Sequence, residues 1–138
     1  MTAKQYLNQA RYLDERINTK IDQVKSLHEL ATKATSTLSD MPGSPTRNTH
    51  RMEDIIIKIL MLENVINNDI DCLVDLRNEI SDAINSVEDE ECRLLLEKRY
   101  IGMEKWEDIA LELSMGMDNI FRLHKKALGK ITVPQTLQ

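Results

Sequence analysis

Four cations crowd a short stretch near the end of the chain. Arg122, Lys125, Lys126 and Lys130 face one carboxylate, Asp118, between residues 117 and 130. A guanidinium carries a planar fork of donors that can grip a guanine edge or a phosphate in two places. An ammonium is a point charge better suited to phosphate alone. The cluster is local, because the whole 138-residue chain has a formal net charge of −5. Residues 1–98 hold 12 Lys and Arg against 18 Asp and Glu, whereas residues 99–138 hold 6 against 5. Other reactive types are scattered. His28, His50 and His124 show no metal-ligand spacing, and no nucleophile or paired-carboxylate arrangement stands out. Cys72 and Cys92 lack CxxC spacing and read as reduced, structural thiols. The expectation is a protein without enzymatic activity, cofactor or metal.

The elements that must position the basic cluster are helical. Gly and Pro together number seven, aromatics make up 4%, and Leu, Ile, Met, Glu and Lys abound. No apolar run approaches the roughly 18 residues of a membrane span, and residues 1–6 lack the apolar core of a signal peptide, so a cytoplasmic setting without membrane contact is expected. Ser86, followed by acidic residues 88–91, reads as a helix start, with Ser86 capping and Asp89 answering three residues on. That helix runs through Leu94–Leu96 and Tyr100 to a stop at Gly102. A second spans about 105–113, with Trp106, Ile109, Ala110 and Leu113 on one face and Trp106 read as core. Residues 114–117, which include Gly116, turn into a third whose inward side carries Ile120, Leu123, Ala127, Leu128 and Ile131. Two short helices about a Gly-containing turn, the later one basic outside, have helix-turn-helix anatomy.

The first 86 residues follow another rule. Tyr6, Ala10, Leu13, Ile17, Lys20, Val24, Leu27, Ala31, Ala34 and Leu38 alternate steps of four and three, as in a heptad seam. Residues 39–50, with Pro42, Gly43 and Pro45, break the pattern. Met52, Ile55, Ile59, Leu62, Ile66, Asp69, Leu73, Leu76, Ile80, Ala83 and Val87 then form a second seam. Folded back antiparallel, partners sum to 89 or 90: Ala31 meets Ile59, Leu27 meets Leu62, Val24 meets Ile66. The one polar residue of each seam, Lys20 and Asp69, falls in the same layer with opposite charge, and the pair should penalise register slips. The second helix also carries Ile56, Ile57, Met61, Val65, Ile70, Val74 and Ile84 off the seam. One partner helix cannot cover them, so they should pack on the C-terminal helices or on a second subunit, as in a homodimer. The predicted fold is all-α: an antiparallel helical hairpin over 1–86 turning at about 39–50, a helix-turn-helix domain over 87–131, and a tail at 132–138.

Three segments, 94–100, 106–113 and 120–128, resemble region four of bacterial sigma factors, the module that recognises the promoter −35 element. The resemblance rests on Arg99-Tyr100 ending the first helix, Glu107-Asp108-Ile109-Ala110 in the second and Lys126-Ala127-Leu128 closing the third. With its front hairpin, the chain resembles a phage and prophage family of Gram-positive bacteria, the ArpU-like late-transcription regulators. The resemblance implies a third helix that enters the major groove of double-stranded DNA, presenting Met117, Asp118, Phe121 and Arg122 to bases. Arg122 is the best match to guanine; Lys125, Lys126 and Lys130 suit phosphates. The sequence departs from the sigma pattern at Met117 and Phe121, where polar or basic residues are commoner. Phe121 is left to touch a thymine methyl or to pack, and His124 to touch phosphate or point to solvent. The implied function is a sequence-specific regulator in a bacterial host cell, with RNA polymerase as a further partner. Two other plans fit these residues: a small-terminase-like packaging subunit, and a protein-interaction module that binds no DNA.

Overall fold

The computed structural model describes residues 1–38 and 45–134, and the side chains of 1–34 and 50–134. Its described residues are all helical or connecting: α1 (Ala3–Leu38), α2 (Pro45–Asn85), α3 (Glu90–Leu96), a π-helical turn (Glu97–Ile101), α4 (Trp106–Glu112) and α5 (Met117–Leu128). The expected all-α class is observed. None of these helices is long and apolar enough to cross a membrane. Residues 39–44 of the expected turn lie outside the described residues, but α2 begins at Pro45, earlier than the turn predicted to reach 50. Proline is well placed there, since the first helical position needs no N–H and favours the proline φ.

Contacts divide the chain into two compact units, and the division does not follow the helices: residues 14–72 form one, and residues 1–13 with 73–138 form the other. In the first, Ile17, Ile59 and Ile66 are buried, and Val24, Leu27, Ala31, Ile55 and Leu62 are half-buried. The expected cross-seam pair is present: Lys20 Nζ donates to Asp69 Oδ2 at 2.5 Å, with both side chains about one-fifth exposed.

The second unit holds the tighter core. Leu7, Ile80, Ile84, Cys92, Leu95, Leu96, Ile109 and Ile120 are all almost completely buried. The open end of the hairpin, the first turns of α1 and the last of α2, therefore shares one core with α3–α5 instead of standing as a separate domain edge. Tyr6 anchors it, its hydroxyl donating to Glu79 Oε1 at 2.9 Å. Burial and then the Glu79 carboxylate push the Tyr6 pKa up to about 12, which keeps that donor protonated. Among the off-seam residues of α2, Ile84 is fully buried here, whereas Val74 is exposed.

The junction into α3 differs from the sequence expectation. Asp89, not Ser86, is the cap: its Oδ1 accepts from the amides of Glu91 and Cys92, each at 3.1 Å. Ser86 lies too far ahead and instead closes the end of α2, its hydroxyl donating to the Ala83 carbonyl at 2.6 Å. The backbone bond to Cys92, more than any other influence, holds the Asp89 carboxyl below its ordinary value.

Candidate nucleic-acid interface

Helix α5 owes its position to its inward side. Ile120 and Ala127 are completely buried, Leu123 nearly so, and Leu128 is half-buried. Helix α4 ends in a tight reversal in which Met115 N donates to Ala110 O and Leu113 N to Ile109 O, both at 2.9 Å. The backbone that reverses the chain is Ser114, at φ 55°, and not Gly116, which caps α5 in an extended conformation. Ahead of α4, Gly102 is needed for a different reason: a Cβ there would sit 2.9 Å from the Lys98 carbonyl oxygen. Lys98 then ties the π-turn to the end of α4 through Glu112 Oε2 at 2.6 Å.

The outward side of α5 carries most of the residues expected to meet DNA. Asp118, Phe121, Arg122, Lys125 and Lys126 are exposed, and Met117 is half-buried. Lys130 is also exposed, but it lies in the turn beyond the end of α5 and not on the helix. Lys126 is shared, with its Nζ 3.4 Å from Asp89 Oδ2, the carboxylate oxygen left over from capping α3. Arg122 and Asn119 border a shallow depression together with Met115 and Glu91.

The structure corrects the reading of His124 and extends that of Trp106. His124 does not point to solvent; it is 8% exposed and lies 2.6 Å from the Tyr100 hydroxyl through Nε2. Burial, followed by the fields of Lys4 and Arg99, pushes its pKa down to about 4, so at neutral pH the ring is uncharged and can accept from the tyrosine. Burial likewise raises Tyr100 to about 12 and keeps that donor protonated. Trp106 is half-buried at the centre of an aromatic group. The His124 ring lies 4.5 Å away and the Phe121 ring 5.6 Å, both edge-on, and the Arg99 guanidinium sits 4.6 Å over the indole. Phe121 thus packs with one edge while 47% of it remains exposed. Arg99 is further held by a 2.8 Å bond from Nη1 to the Glu104 carbonyl.

Sequence reasoning missed Lys4 and Asn8, which line a cavity with these aromatic residues. The available signal was Leu7: it is off the heptad seam and fully buried, marking a second packed side of α1 flanked by those two residues.

Several off-seam residues of α2 are uncovered. Ile56, Ile57, Leu60, Met61, Val65 and Ile70 are each at least 41% exposed, and Met61 reaches 64%. Cys92 is buried, whereas Cys72 is exposed, contrary to its reading as a structural thiol; both are free. Comparison of the chain with protein-family models, curated proteins and solved structures returns no match.

Proposed function

We propose that this chain is a sequence-specific DNA-binding regulator of transcription, with α5 as its recognition helix. The supporting observation is the division of α5 into two sides. One is buried in the core, and the other presents Arg122 beside Lys125 with no carboxylate on the helix except Asp118 in its first turn. A tight turn from α4 leaves the front of α5 free to approach a groove, where Arg122 would read guanine and Lys125, Lys126 and Lys130 would hold phosphates. Met117, Asp118 and Phe121 complete the base-facing set. The resemblance to sigma region four favours a phage-encoded regulator of late genes, working in the bacterial cytoplasm and contacting RNA polymerase.

The uncovered apolar residues of α2 favour a homodimer. A helix that is apolar nearly all round is normally covered, and residues 55–62 fit that description. A dimer would bring two weakly binding recognition helices to two half-sites.

The test is selection of genomic fragments by the purified protein at two salt concentrations, followed by sequencing. Recovery of a defined site upstream of a gene block, lost in Arg122→Ala, supports the regulator. Recovery at packaging genes by a ring of subunits favours the terminase-like role. No recovery at either salt leaves the protein-interaction module.

A further inference from the structure

A cavity of about 150 Å³ opens in the same unit as α5. Its polar lining is Lys4 and Asn8 of α1 and Arg99 of the π-turn; Tyr100, Trp106, Phe121 and His124 supply the rest. Among the described residues, no carboxylate lines it. Lys4 and Asn8 are one helical turn apart and so project from one side of α1. Arg99 is already oriented by Trp106 and by the Glu104 carbonyl, so little rotamer freedom remains to be lost when its other N–H groups meet a ligand.

The charges around this place repel one another. Beyond burial, which does most, Lys4 and Arg99 both disfavour a proton on His124. Burial does most to disfavour the charge of Arg99, Arg11 adds to it, and Tyr100 and Glu107 act the other way. An anion would relieve that repulsion. Three donor groups in one lining suit an acceptor with several oxygens, and the space admits a few waters or one tetrahedral oxyanion, not a whole nucleotide.

We infer that this cavity binds a phosphate group, gripped by Arg99 and Lys4 with the Asn8 amide as a third donor. The favoured source is a DNA phosphodiester, and that choice rests on the function proposed above. Phe121 belongs both to the exposed side of α5 and to the cavity wall, so DNA held by α5 would bring its backbone to this place. Free inorganic phosphate offers the same chemistry.

Trp106 is the chain's single tryptophan and lines the cavity, so its emission reports on it directly. The experiment titrates the full chain with inorganic phosphate at constant ionic strength, using chloride as the control, and follows Trp106 emission together with the His124 ring resonances. In parallel, binding to a selected DNA fragment is measured against salt for the wild type, Lys4→Gln, Arg99→Gln and Lys125→Gln. The expected result is a saturable response to phosphate with a rise in the His124 pKa, weakened several-fold in Lys4→Gln. The slope of log affinity against log salt should also fall by about one in each of Lys4→Gln and Arg99→Gln. A phosphate response with an unchanged DNA slope assigns the site to free phosphate. A phosphate response without any DNA binding keeps the site and removes the regulator. No phosphate response and an unchanged slope in Lys4→Gln, while Lys125→Gln still weakens DNA binding, overturns the inference and leaves the regulator standing. Lys4 is exposed, so its variant remains informative even if Arg99→Gln fails to fold.

Discussion

Mild acid should destabilise the unit that contains α5, and His124 should be the main reason. The folded chain holds this ring uncharged, with a pKa of about 4, whereas an unfolded chain takes up the proton near 6.5. Between those values the unfolded state binds more protons, so stability is fully present above pH 6.5 and drains away as pH falls toward 4. Each tenfold difference in proton affinity is worth about 1.4 kcal/mol, so the loss approaches about 3 kcal/mol at pH 4. The ring is 8% exposed but also lines the cavity described above, so about 3 kcal/mol is the upper bound. Against a typical stability of about 5–15 kcal/mol, the effect is large. Urea unfolding followed by Trp106 emission at several pH values from 7.5 to 4.5 measures it. The control is His124→Gln, which can still accept from Tyr100 but does not titrate. It should be less stable at neutral pH and nearly flat across the window. A flat wild-type profile, or a slope retained in His124→Gln, would falsify the burial argument.

Further predictions concern the scaffold. Asp69→Lys should destabilise the hairpin by about 2 kcal/mol, and the double swap with Lys20→Asp should restore most of it; a swap no better than either single variant removes the register role. Asp89→Ala should lower the melting temperature by several degrees and Ser86→Ala hardly at all, because only Asp89 caps α3; the reverse order in thermal scans would refute the assignment. Ser114→Gly should stabilise by about 1 kcal/mol by relieving a left-handed backbone, while Gly102→Ala should destabilise through its clash with the Lys98 carbonyl. Thermal unfolding of the pair should show opposite signs.

Much of the hairpin was legible because its rule is local. Steps of four and three define a stripe, and a single polar residue in each stripe sets the register that brings Lys20 to Asp69. The C-terminal helices were legible for a similar reason, with breaks at Gly102 and at 114–116 between amphipathic segments. What stayed hidden depends on partners distant in sequence. His124 looked like an outward residue of a basic helix until Tyr100, 24 residues earlier, turned out to meet it. The true cap of α3 was obscured by two capping-competent residues three apart, and only the path of α2 past Ile84 decides between them. The merging of the hairpin's open end with α3–α5 was signalled by Leu7 and Ile84, apolar positions that fit no seam. Lys4 and Asn8 reach the cavity from the opposite end of the sequence, a proximity that no local pattern encodes.

Reading of DNA by the exposed side of α5, as proposed above, is best tested by the affinity of the full chain for its best selected duplex, with and without Arg122→Ala, across a range of salt. The expected result is salt-dependent binding in the wild type and a loss of about 1–3 kcal/mol in the variant, concentrated on one base pair of the site. Equal affinity of both proteins for every duplex, or no retention even at low salt, would contradict it.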